Sequence, residues 1–322
     1  MHHVTITTPA RLHFSLIDLN GALGRIDGGF GLAIERPDFC ITAERANGIH
    51  VADSVYQERA FHILARLQET YSFPGIALEF AAEIPMHSGF GSGTQLSLGI
   101  AHAVNLLYGL GLSVLDLAHA VGRGGTSGIG VAAFETGGFI VDGGHRYPEQ
   151  KASFLPSAAV GHISPPPILL RYPFPAWPLL IAIPNCSRIY GEAELELFRT
   201  LCPQPAPIAP QLSHLLLLQI LPAILEEDMR GFGEALNQIQ TFGWKRVEID
   251  AQGPELQQTL EFLQHNGALG AGVSSWGPAI CAVSQNIEEL RQKTEAFLET
   301  LPKGGSCFVT RANNVGAQIV PE

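Results

Sequence analysis

The hydrophobic pattern along the chain changes period several times. Val4 to Thr8 and Arg11 to Ile17 alternate apolar and polar residues, as strands with one buried face do. A glycine-rich turn follows, Asn20-Gly21 and Gly24 to Gly29, and then two further strand-like runs, Phe30 to Glu35 and Phe39 to Arg45. The period then becomes helical: Val55, Phe61, Leu64 and Leu67 share one face of a helix expected over residues 54–71. Ile76 to Ile84 reads as a strand, Gln95 to Tyr108 as a helix built on Leu96, Leu98, Ile100, Val104 and Leu107, and Gly138 to Asp142 as another strand.

The stretch from Pro148 to Pro178, with Pro165-Pro166-Pro167 at its centre, reads as a passage between domains, and we place the boundary near residue 167. Beyond it the pattern predicts a strand at Leu179 to Pro184, helices near 192–201, 211–227, 232–244 and 254–266, and a hairpin from Ala268 to Val273 and Pro278 to Val283. A helix over 287–301 and two short strands, 307–310 and 316–320, complete it. Strands and helices mix without a long parallel series, so the expected class is α+β, with one domain over 1–167 and a second over 168–322.

Composition supports two buried cores. The chain has 322 residues, more than one ordinary core holds, and is 46% hydrophobic against 15% charged, so little of it looks disordered. A net charge of −11 argues against nucleic acid or an anionic membrane as partner, since both require clustered Lys and Arg. Small anions remain possible ligands because backbone amides bind phosphate without net positive charge. Cys40, Cys186, Cys202, Cys281 and Cys307 form no C-x-x-C pair and read as reduced cytoplasmic thiols. Met1 to Pro9 lacks the apolar core of a signal peptide, and Leu212 to Leu225, interrupted by His214, Gln219 and Pro222, reads as a buried helix too short to span a bilayer.

The clearest chemical signal is Ser88-Gly89-Phe90-Gly91-Ser92-Gly93-Thr94 at the start of a helix. Glycine allows amides to approach an anion, the helix end presents unpaired N–H groups, and Ser92 and Thr94 add hydroxyls for phosphate or magnesium. The same glycines would also serve a plain tight turn. No Gly-Lys-Ser/Thr closes the loop as in a Walker motif, and the third glycine of a dinucleotide fingerprint is missing.

Three segments together carry a resemblance. Ile84-Pro85-Met86-His87 running into that loop looks like the phosphate-binding P-x-x-x-G-L-G-S-S-A motif of the GHMP superfamily. Thr8-Pro9-Ala10-Arg11-Leu12-His13-Phe14 looks like its first motif, and Gly267 to Gly277, with Ser274-Ser275-Trp276, like its third. Two further blocks, Leu23 to Glu35 and Gly122 to His145, are similar to signatures of the β-ribofuranosylaminobenzene 5'-phosphate synthases within that superfamily. The resemblance implies a ribosomal-S5-like first domain, a ferredoxin-like second domain and a homodimer. It also implies a reaction: phosphoribosyl diphosphate plus para-aminobenzoate or para-hydroxybenzoate gives a C-riboside, carbon dioxide and diphosphate, with Mg2+, early in tetrahydromethanopterin synthesis.

Most members of the superfamily are small-molecule kinases, so kinase is the competing reading, and a non-catalytic phosphosugar binder a third. Gly93 stands where the kinase loop carries its second serine, and Ser127 to Ala132 offers no acid to deprotonate a substrate hydroxyl. Both departures favour the synthase. On that reading, Ser88, Gly89, Gly91, Ser92, Gly93 and Thr94 hold the diphosphate, with Thr94 and Glu135 as magnesium ligands. His13, Arg25 and Asp27 are the catalytic candidates: His13 to take the para proton, Arg25 to orient the acceptor, Asp27 to bind magnesium or ribose. Arg11, Arg123, Thr126, Ser127, Ser274, Ser275 and Trp276 are the substrate-binding candidates. Each has an ordinary alternative: a salt bridge for the arginines, an Asp-Gly turn for Asp27, a packed strand histidine for His13, a core tryptophan for Trp276.

Overall fold

The computed structural model describes residues 2–156, 159 and 163–321. Its first sheet has eight strands. β1 (His3–Asp18) and β2 (Arg25–Arg45) form a long antiparallel pair, and the order β12-β1-β2-β4-β3 is completed by β4 (Gly75–Ala82), β3 (Gly48–Val51) and β12 (Gln318–Pro321). β5 (Phe139–Asp142) and β6 (His145–Arg146) pair with the early half of β2, and β7 (Ile168–Tyr172) pairs with β5.

Where two strands are expected at 4–8 and 11–17, the chain forms one strand with irregularities at Pro9/Ala10 and His13/Ser15. Proline has no N–H to give to the ladder, and a bulge accommodates it. The bulges let one strand serve the core at one end and a cleft at the other.

α1 (Gln57–Tyr71), α2 (Ser92–Tyr108), α3 (Val114–Ala120) and α4 (Ile129–Glu135) cover this sheet. α2 is the central helix. Leu96, Leu98, Ile100, Val104 and Leu107 are fully buried, each contributing about 1.5–3 kcal/mol of hydrophobic stabilisation. That burial fixes the position of its N-terminus, where the glycine loop lies.

The second sheet is built from β8 (Leu179–Pro184), β9 (Gly270–Val273), β10 (Ile280–Val283) and β11 (Gly305–Thr310) in the order β11-β8-β10-β9, all antiparallel. Numbered within the domain this order is 4-1-3-2, the β-α-β-β-α-β arrangement of a ferredoxin-like fold. Between β8 and β9 lie α5 (Glu192–Leu201), α6 (Ile208–Leu215), α7 (Leu221–Leu225), α8 (Met229–Ile239), α9 (Gly243–Asp250) and α10 (Pro254–His265); α11 (Ile287–Thr300) precedes β11.

Three expectations are corrected. The change of sheet falls between Tyr172 and Leu179 rather than at 167, because Ile168–Tyr172 pairs with Phe139–Asp142, and the last strand returns to β1 of the first sheet. The helix expected over 232–244 is two, separated at Gly243, which takes a φ of +61°. The apolar helix near 211–227 runs over Ile208–Leu225 with a π-helical segment at Leu216–Ile220, long and apolar enough by composition to cross a membrane. One face, including Leu212, Leu216 and Ile220, packs into the core; Leu217, Leu218 and Leu225 stay exposed, so it is a half-buried helix.

Candidate active site

The three segments that carried the resemblance meet at one place. Arg11 N donates to Phe90 O (3.0 Å) and Arg11 Nη1 to Gly89 O (2.5 Å), tying β1 to the glycine loop. Ser274 Oγ donates to Gly89 O (2.7 Å) and accepts from His13 N (3.0 Å), tying the third segment to both. A side chain at Gly277 would place its Cβ 2.0 Å from Gly89 N, so backbone meets backbone there. The loop's shape is set by the second domain as much as by the first.

The loop leads into α2 through Gly91, which caps the helix at a φ of +72° without a side-chain cap bond. The helix end is therefore left with uncapped amides and its positive dipole end facing a cleft. That cleft holds a cavity of about 390 Å³ lined by the loop residues from Met86 to Thr94, by Arg11, His13, Arg59, Arg123, Thr126 and Ser127 of the first domain, and by Tyr190, Glu194, Glu248, Ser275 and Trp276 of the second. Most of the proposed phosphate and substrate residues are thus brought together.

Ser274 is an exception: its hydroxyl is buried in the strut just described, and it does not line the cavity. Arg25 is corrected more sharply. It does not line this cavity but is tied to the chain after β5, donating from Nε to Gly143 O (2.7 Å) and from Nη2 to Gly144 O (2.6 Å). Asp27 is also withdrawn from the cleft: Lys151 Nζ donates to both its oxygens (3.1 and 3.0 Å) and His145 Nδ1 to Oδ2 (2.8 Å), with no exposure of its side chain. Glu135, at the far end of α4, is exposed and does not meet Thr94.

His13 lies in the cleft at the end of a short hydrogen-bonded chain. Its Nε2 is 3.2 Å from Ser127 Oγ, and Ser127 Oγ donates to Asp142 Oδ2 (3.0 Å). Asp142 also accepts from Gly128 N (2.9 Å) and Gly144 N (3.0 Å). Burial nevertheless pushes its carboxyl up to about 6. Burial, with Arg11 and Lys245 nearby, holds His13 well below its ordinary 6.5, so the imidazole is neutral at pH 7.

Sequence reasoning missed the acidic side of the cleft. Glu194 on α5 accepts a hydrogen bond from Trp276, and burial followed by repulsion from Glu248 pushes its carboxyl up to about 7. Glu248 on α9 is buried and paired with Lys245, whose Nζ also donates to Val273 O (3.0 Å). Burial raises Glu248 and lowers Lys245. It also lowers Arg11, to about 10, against the opposing pull of Glu248 and Glu194. Among the described residues no three His, Cys, Asp or Glu side chains group into a metal site.

The fold and the converging glycine segments define a GHMP-type protein. The family model for the GHMP kinases N terminal domain matches residues 56–138 and that for the GHMP kinases C terminal region matches residues 220–303. The beta-ribofuranosylphenol 5'-phosphate synthase of Methanothermobacter thermautotrophicus is 41% identical over 98% of both chains, and that of Archaeoglobus fulgidus 40% identical over 98% of both. The chain belongs to the β-ribofuranosylphenol (β-ribofuranosylaminobenzene) 5'-phosphate synthase family of the GHMP kinase superfamily. It is accordingly an enzyme. A homoserine kinase from Cytophaga hutchinsonii superposes with a TM-score of 0.70 at 18% identity, covering 99% of this chain and 98% of its own, which shows the shared fold.

Proposed function

We propose that the protein transfers the phosphoribosyl group of phosphoribosyl diphosphate to the ring of a para-substituted benzoate, releasing carbon dioxide and diphosphate. The relatives' names give the product as the phenol, which favours para-hydroxybenzoate over para-aminobenzoate. The observation that carries the reading is one cleft that brings together an amide-rich loop with Arg11, Arg59 and Arg123 and an aromatic wall, Trp276, beside a buried acid, Glu194. A departing diphosphate fits the first and a phenolic ring the second.

In this reading the sugar–oxygen bond breaks as diphosphate leaves, and the ring carbon bearing the carboxylate forms the new carbon–carbon bond. The bond to the carboxylate then breaks, its electron pair restores aromaticity, and carbon dioxide departs. Loop amides and Arg11 stabilise charge developing on diphosphate. Ser92 and Thr94 would hold a magnesium ion neutralising that charge, which suits a cation that keeps phosphate and water oxygens as its other ligands. Trp276 supplies a flat wall to the ring. Glu194, at about 7, is matched to take the para-hydroxyl proton and return it, so the base role we expected of His13 passes to Glu194. His13, held neutral by its surroundings, orients the acceptor instead.

The kinase reading lacks support where it needs it, since Ser127 to Ala132 contributes no carboxylate and the one that meets the start of α4, Asp142, is taken up by Ser127 Oγ, Gly128 N and Gly144 N. The test is to supply phosphoribosyl diphosphate, magnesium and each benzoate and follow carbon dioxide. ATP consumption dependent on a small alcohol, without decarboxylation, would overturn the proposal.

A further inference from the structure

Next to the cleft, and sharing Arg59 and Arg123 with it, lies a second cavity of about 390 Å³ lined also by His62, Ile63, Arg66 and Ser97. It sits between α1 and the start of α2. Two observations single it out.

The first concerns room. A Cβ at Gly93 would lie 2.6 Å from Arg59 Nη2 and 3.2 Å from its Cζ, closer than real side chains come. Glycine at the position where a kinase-type loop has a serine therefore makes space for a guanidinium to lie directly over the first turn of α2.

The second concerns charge. Arg123 is held against the same turn, donating from Nε to Ser97 Oγ (3.2 Å), which itself donates to Gly93 O (2.8 Å). Burial and then Arg59 and Arg66 lower the Arg123 guanidinium to about 10. Among the described residues, neither Arg59 nor Arg123 is ion-paired to a carboxylate; Glu58, also on this wall, is strongly exposed and lies 3.7 Å from His62. Guanidinium groups brought together without a counter-charge repel, and an anion between them relieves that repulsion.

We propose that Arg59 and Arg123 form a second anion subsite that takes a phosphomonoester, which in the reaction above is the 5'-phosphate of the donor. The proposal rests on that reaction for the donor's identity. The donor carries charge at both ends of its ribose, and the glycine loop answers only one of them. Fixing both ends would set the face of the sugar offered to the ring, and two planar forks suit a terminal phosphate.

Calorimetric titration with ribose 5-phosphate and with inorganic diphosphate tests it on the wild type, Arg59→Gln, Gly93→Ala and the double variant. We expect Arg59→Gln to weaken ribose 5-phosphate about tenfold and diphosphate less than about threefold, as loss of a charge-assisted contact to one ligand should. Gly93→Ala meets only the far end of a flexible side chain, so it should fold and, by displacing that guanidinium, reproduce the loss of ribose 5-phosphate affinity; the comparison with diphosphate is read on Arg59→Gln, because Gly93 belongs to the diphosphate loop. The double variant should be no weaker than either single one, because both remove one interaction. Equal weakening of both ligands, or of neither, overturns the subsite. Carbon dioxide release measured on the wild type separates the two ideas: turnover without the selective loss removes the subsite alone, and selective loss without turnover removes the reaction alone.

Discussion

Two clusters of charge are withdrawn from water among the described residues, and in only one of them do charged side chains line the cleft. In the first, Asp27, Lys151 and His145 satisfy one another, with Lys151 also donating to Thr126 Oγ1 (3.1 Å) and Leu155 O (3.0 Å). In the second, Lys245 and Glu248 form a pair, while Arg11 and Glu194 add charge that reaches the cavity. A closed cluster is a brace; an open one retains groups whose charge a substrate can meet. The residue types are nearly the same, so the difference lies in what surrounds them.

The comparison breaks most visibly at Asp27. Asp27→Ala leaves the Lys151 ammonium buried without its partner, and we expect about 3–5 kcal/mol less stability by urea denaturation. A loss under about 1 kcal/mol would show that water or another group neutralises the lysine and that the cluster is not a brace.

Glu194→Gln should do the opposite. Glutamine still accepts from Trp276, so stability should change by less than about 1 kcal/mol, whereas turnover should fall about a hundredfold or more. Because the ionised carboxylate accepts the proton, wild-type kcat/KM should drop as pH falls through about 7, and that limb should vanish in the variant. The folded protein also holds this proton longer than the unfolded chain does. Stability should therefore decline slightly as pH rises from the ordinary carboxylate range towards 7, and less so in Glu194→Gln. A pH profile unchanged by the substitution would remove Glu194 from proton transfer.

The smallest effect on catalysis should come from Arg25→Ala. Its guanidinium serves two carbonyls, so about 1–3 kcal/mol of stability goes with it, while turnover and the acceptor KM should stay within about twofold. Steady-state kinetics with saturating donor check this; a rise in acceptor KM would return Arg25 to the site.

Much of the architecture was legible because burial follows period: the buried stripe of α2 and the hairpin of β9 and β10 read directly from their apolar spacing. The glycine loop was legible for a different reason, since few uses other than a turn or an anion call for glycines at 89, 91 and 93. Asp27 misled because its glycine neighbours suggest an exposed turn, and nothing local announces a lysine 124 positions later that closes over it. Glu194 was hidden in plain view. It lies in the first turn of α5 beside Glu192, where acids commonly serve the helix dipole, and only the fold brings it to Arg11 and Trp276. Arg59 looked like any polar residue on an amphipathic helix; the visible clue was Gly93, whose missing side chain it occupies.

The junction of Gly89, Ser274 and Gly277 also bears on how the protein comes to be active. Its bonds join residues 185 and 261 positions apart in sequence, so the glycine loop cannot take its working shape until chain from both domains has found its place. Long-range closures of this kind form late and slowly. Activity should consequently mature after most secondary structure during refolding. A ligand on the loop, by favouring only the assembled state, would hold both domains folded through mass action rather than the first alone.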